Sequence, residues 1–174
     1  MTNDQQTVTN LHHLLDYDAR KFLRGEILLQ QKMPDWINAA ESLKLKMVLQ
    51  KYHDLVQEHI RVLEEFFETE QIGSISLENR VMQAFVEDAR EKIAVCEDAA
   101  IKDACLLACI QTINHYKISM YGTAAAFANA LGMEKQAGVF HKVEVDEKQV
   151  DDRLSQLAEH EVNILARTPI VLPR

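Results

Sequence analysis

Apolar residues recur every three or four positions along most of this chain, and that spacing lays out a series of long helices. A first helix is predicted from about Asn10 to Ala40, with Leu15, Ala19, Phe22, Leu23, Leu29 and Met33 on its inner face. Pro34 is expected to kink it, or to split off DWINAA as a last segment. A second helix runs from near Ser42 to about Glu68. Its stripe is Leu45, Val48, Leu49, Tyr52, Leu55, Val56, His59, Leu63, Phe66 and Phe67. TEQIGSIS then reads as a loop. A shorter helix follows from about Leu77 to Val95, with Ser76 as its expected N-cap. Asp98 is placed to cap a long helix ending near Leu131. That helix is apolar nearly all round and should lie centrally, with Gly132 as its stop. A last long helix spans about Glu134 to Leu165. Residues 1–8 read as a flexible N-terminal tail, 9–165 as one helical domain and 166–174 as an apolar C-terminal tail that docks elsewhere, for instance on a second subunit. Four long helices and one short one give an all-α four-helix bundle, with the extra helix in the connection between helices 2 and 3.

Composition sharpens this picture. The chain has 174 residues, 47% of them apolar, with only five glycines and three prolines, which suits a single helical core. A net charge of −8 argues against a nucleic-acid or anionic-membrane partner. No apolar run approaches the ~18 residues of a membrane span. Three cysteines, Cys96, Cys105 and Cys109, suit a reducing cytoplasm better than a disulfide framework, and Cys105 and Cys109 share a helix face as ordinary core residues.

Chemistry enters where charge interrupts the stripes. Lys117 has Ile113 and Tyr121 four residues away, Met120 three away, and Ile110 and Ala124 seven away, so it stands in an apolar face. Desolvating an ammonium is costly unless it is paired. Either its stem lifts the charge to water or an anion waits inside. The inward faces offer Glu26, His59, Asn114, Glu147 and Asp151. Bundles of the carboxylate-metal type place a Glu on each of two helices and Glu-x-x-His on each of the other two; no helix here carries Glu-x-x-His on the right face. His12, His13 and His53 fall on solvated faces. His115 lies on another face than Lys117 and is expected to be an interior or interface residue. Tyr116 and Tyr121 are expected in the core with their hydroxyls paired.

The stretch HYKISMYGTAAAFANALGMEKQAGVF, followed by DEKQVDDRLSQLAEHEVN, resembles the YciE/YciF family of bacterial ferritin-like proteins. That family carries VEHYEIAxYGTL and then EEKxxDxKLxxLAxxxVN. EHIRVLEEFFE is similar to its GQIERLEQVFE. In helix 1, YDARKFL resembles YDAEKQL and would set Arg20 at the acidic position. Matching Pro34 to the proline of the family's LPKM needs no gap into helix 2 and brings Glu26 there instead, which is the alignment adopted. The resemblance implies a ferritin-like bundle, usually a homodimer, linked to bacterial stress, with a carboxylate metal centre. Glu26, Glu147 and Asp151 carry over. The two glutamates of VEHYE are Asn114 and Lys117 here, and Tyr52 and Leu55 stand where a His and a Glu are expected. His59 stands where the family has Gln or His.

A dinuclear centre needs carboxylates to offset about four positive charges. Removing two or three acids and adding an ammonium opposes that. The favoured reading is a non-catalytic, stress-associated bundle protein without cofactor, in which Lys117 and Asn114 join Glu26, Glu147 and Asp151 in a buried ion-pair network. The alternative keeps a reduced site of Glu26, His59, Glu147 and Asp151 around one Fe, Mn or Zn ion, with oxidase- or peroxide-related activity.

Overall fold

In a computed structural model that describes residues 7–73 and 77–167, the chain is helical with no strand among those residues. The long helices are α1 (Leu11–Ala39), α2 (Leu43–Thr69), α4 (Ala99–Ala130) and α5 (Glu134–Leu157). The shorter α3 (Arg80–Ala94) sits in the connection between α2 and α4. The helical body therefore runs from Leu11 to Leu165, while most of both expected tails lies outside the described residues.

Each start has a local cause. The Asn10 carboxamide accepts from His13 N–H at the head of α1, and Asp98 accepts from Ala100 and Ile101 at the head of α4. Ser42 caps α2, and its own N–H and that of Glu41 donate to the buried Asp103 of α4 at 2.7 and 2.8 Å. Gly132, at φ 72°, takes the left-handed turn that ends α4.

Three expectations change. α1 runs unbroken through Pro34, so DWINAA is not a separate segment. α3 begins at Arg80 rather than Leu77, and Asn79 caps it; Ser76 lies outside the described residues. Asn79 is chosen by tertiary contacts. Its side chain accepts from Met82 N–H and Tyr116 Oη and donates to the Lys21 carbonyl. It docks against Gly25 so closely that a Cβ there would lie 2.7 Å from Asn79 Nδ2. Finally, α5 stops at Leu157. A π-turn, Ala158–Val162, leads into a last short helix, α6 (Asn163–Leu165), with Asn163 N–H bonded to the Ala158 carbonyl.

The helix N-terminus of α2 meets that of α4 through Ser42 and Asp103, and the end of α2 meets the start of α5 through Glu70 and Gln136. Thus α2 and α4 run parallel, and α3 spans the length between them as the single long crossover. α1 pairs with α2 and α4 with α5, while α1 against α4 and α2 against α5 close the bundle. Buried positions alternate by three and four residues, as in supercoiled bundles. On α1 they are Leu15, Ala19, Phe22, Glu26, Leu29, Met33 and Trp36; on α2, Leu45, Leu49, Tyr52, Val56, His59, Leu63 and Phe66.

Candidate functional site: a buried charged layer

The apolar interior is split in two. One cluster holds Leu29, Met33, Leu49, Val56, Ile110, Ile113, Val150 and Leu154; the other holds Leu15, Ala19, Phe22, Leu63, Ala124, Phe140 and Val143. Between them each bundle helix contributes at least one polar residue: Glu26 from α1, His59 from α2, Asn114 and Lys117 from α4, and Glu147 from α5, all with no exposed surface.

Lys117 Nζ lies 3.0 Å from Glu26 Oε2 and 2.5 Å from Glu147 Oε1. These two oxygens hold the ammonium between them at ion-pair distance. Their partner oxygens are engaged by phenols. Tyr121 Oη donates to Glu26 Oε1 at 2.6 Å, and Tyr52 Oη donates to Glu147 Oε2 at 2.7 Å. Asn114 Nδ2 adds bonds to Glu147 Oε2 at 2.7 Å and to the Glu147 carbonyl at 2.9 Å. His59 Nδ1 is 3.1 Å from Glu147 Oε1 and 3.5 Å from Lys117 Nζ; Nε2 has no partner among the described residues. The Tyr52 ring lies 4.9 Å from the ammonium, its face toward the charge.

The electrostatics follow from this packing. Burial alone would drive the Lys117 ammonium toward neutrality, but Glu147 and Glu26 outweigh it and its pKa rises above the ordinary value. Burial likewise opposes ionisation of Glu147, yet Lys117 and His59 prevail and hold its carboxyl at about 2. Both phenols are pushed well up, by burial first and then by the carboxylates they serve, so they act as donors throughout the physiological range.

Five of the six polar residues singled out in the sequence thus meet: Glu26, His59, Asn114, Lys117 and Glu147. Asp151 does not. It lies outside the layer, where its carboxylate takes His115 Nε2 at 2.9 Å and Gln111 at 3.4 Å. The cause is spacing. After Glu147 the buried seam of α5 passes to Val150 and Leu154, three and seven residues on, so Asp151 falls beside it. His115 is not interior in this chain: its side chain is 64% exposed. Arg20 is not part of the layer either. Tyr52 and Tyr121 were legible as core positions but not as partners of the two acids. The cysteines behave as packed thiols. Burial, together with Cys109 and Cys96 nearby, pushes the Cys105 thiol up to about 12, which keeps it protonated.

Measured against the Glu, Glu-x-x-His pattern of dinuclear bundles, half of the ligand set is present. Glu26 stands alone on α1. On α2 the residue three before His59 is Val56, and on α5 the residue three after Glu147 is Val150, both buried. On α4 the carboxylate position is Lys117. Donor atoms of Glu26, His59 and Glu147 lie within 4.8 Å of one another. The ammonium, however, already occupies the space their charges face, and the remaining carboxylate oxygens are committed to Tyr52, Tyr121 and Asn114. This set does not fit a dinuclear centre.

Residues 10–167 match the family model described as a domain of unknown function, DUF892. The chain belongs to the DUF892 family. Over 82 residues this DUF892 chain is 38% identical to the protein YciF of Escherichia coli strain K12, a match that spans 47% of this chain and 49% of that protein. The solved structure of the Escherichia coli stress protein YciF superposes with a TM-score of 0.85 at 25% identity, covering 90% of this chain and 99% of the other. YcfI from Rhodopseudomonas palustris shares the fold, with a TM-score of 0.84 at 22% identity, over 87% of this chain and 96% of its own. No helix among the described residues is long and apolar enough to cross a membrane.

Proposed function

We propose that this DUF892 chain is a non-catalytic, ferritin-like bundle protein in which Lys117 holds the place of metal charge. The observation that carries the reading is the fully buried ammonium between Glu26 and Glu147. It supplies the positive charge that two buried carboxylates need, but none of the redox chemistry. The protein would act through contacts with other molecules, as a homodimer in the cytoplasm, where its three free cysteines stay reduced. A stress-associated role is supported by kinship with the Escherichia coli protein, which is called a stress protein.

The test is metal content and melting temperature of the wild type and of Lys117→Glu, each with and without Fe(II), Mn(II) and Zn(II). The expected wild type ignores all three ions. Lys117→Glu is expected to be less stable alone and to regain stability with metal, by about 2.7 kcal/mol at a hundredfold excess over its dissociation constant. One stoichiometric ion in the wild type, with a raised melting temperature, would reject the proposal.

A second reading has its own support: three donors close enough for one ion. A single Fe, Mn or Zn held by Glu26, His59 and Glu147, with oxidase- or peroxide-related activity, requires Lys117 to leave the layer. The wild type separates the readings: it should bind one ion and be stabilised by it if the second holds, and ignore metal if the first does.

A further inference from the structure

At the end of the bundle where α5 gives way to the π-turn, a groove of about 420 Å³ opens between α5 and α2. Its lining is apolar at Met47, Val48 and Leu157, and Lys51 and Arg153 line it together with His160. Lys44 is also there, but it is spent on Glu161, the one acid of the lining, which Ser42 contacts as well. Lys51, Arg153 and His160 have no ion-pair partner among the described residues. On a chain of net charge −8, this is a local reversal of sign. Apolar surface extends beyond the groove. Met47 is 55% exposed, and Leu43, one turn earlier on the same helix, is 71% exposed. The π-turn helps to shape the groove. Its extra residue per turn returns Val162 to the core while His160 and Glu161 line the groove, and such turns recur at functional sites.

We propose that this groove docks an acidic amphipathic helix of a partner protein. Two neighbouring helices with an apolar trough between them offer a third helix the usual ridge-and-groove seat, with anchors at i, i+3, i+4 and i+7. Charge selects among such helices. A neutral or basic one would bury Lys51 and Arg153 without a counter-charge, whereas glutamates flanking the apolar stripe pair with them. The site is separate from the charged layer, and its outcome does not depend on whether that layer binds metal.

The test uses the full chain and a labelled synthetic peptide of about 18 residues, roughly 27 Å as a helix, with leucines on one face and glutamates on the flanks. A control peptide carries lysines in place of the glutamates. Anisotropy and amide NMR shifts are followed for the wild type, Lys51→Glu/Arg153→Glu and Lys51→Ala/Arg153→Ala, with sedimentation run in parallel. The glutamate peptide is expected to bind, to shift amides around Met47 and Leu157, and to weaken as salt rises. The alanine pair should weaken binding and the glutamate pair more so, by about tenfold or more, with unchanged melting temperatures. Equal binding of both peptides, no binding of either, or shifts confined to another face would overturn the proposal. So would a change in wild-type sedimentation on altering the groove, which would make a second copy of this chain the occupant.

Discussion

Glu147 and Asp151 are one turn apart on the same helix, yet they live in different chemistry. Glu147 has no exposed surface, is held by Lys117, His59, Tyr52 and Asn114, and has a pKa of about 2. Asp151 is 22% exposed in its side chain and is paired with the exposed His115. The difference comes from 40° of helix rotation beyond a full turn. A carboxylate on the three-four seam must find internal partners, because water cannot reach it. One step off the seam, water does most of that work.

The largest test of this contrast is loss of the central cation. Lys117→Met keeps much of the volume but leaves two buried carboxylates uncompensated, and should cost about 3–5 kcal/mol. For a domain of this size that lowers the melting temperature by roughly 6–20 °C. Urea denaturation should show the same loss. A cost below ~1 kcal/mol would mean that the layer admits water.

Acid gives the next effect. Because the folded-state pKa of Glu147 lies below its ordinary 4.5, its contribution is present above about pH 4.5 and is lost as pH falls toward 2. A shift of this size is worth roughly 3 kcal/mol. The urea midpoint measured against pH should drop across that window, and in Lys117→Met the drop should move to higher pH. At the other extreme, the raised pKa of Lys117 and of both phenols means that stability holds up to about pH 10 and falls above it.

Smaller effects belong to the phenols. Tyr52→Phe and Tyr121→Phe each remove one hydrogen bond to a charged acceptor, and each should cost about 1.5–3 kcal/mol in chemical denaturation. The smallest belongs to Asp151. Asp151→Asn should change stability by less than ~1 kcal/mol, since its pair is partly solvated. An Asp151→Asn loss as large as that of Lys117→Met would erase the distinction drawn between the two acids.

The helices were legible because their apolar positions recur so regularly; the stripe of α2 includes every residue that the fold buries on that helix. Lys117 was legible for the same reason, as a charge with Ile110, Ile113, Met120, Tyr121 and Ala124 as neighbours on its face. Asp151 was misread because a four-residue step looks inward when taken alone. Only the alternation of three and four, which passes from Glu147 to Val150, excludes it. The start of α3 was hidden because Asn79 is fixed by α1 and α4, which are remote in sequence. The π-turn was hidden too: AEHEV carries no residue that a regular helix would refuse. The groove beside it depends on that turn and on a neighbouring helix more than a hundred residues earlier in the chain, so no local pattern announces it.

The charged layer also works as an axial index. Leucines and alanines above and below it are nearly interchangeable, and an apolar bundle can tolerate one helix sliding past its neighbours by a heptad. Such a slide here would face an ammonium with Met33 or Leu154, or a carboxylate with Ile110. Each misregistered state would bury a lone charge. One layer of buried polar residues, drawn from every bundle helix, therefore fixes the height of all four helices at once.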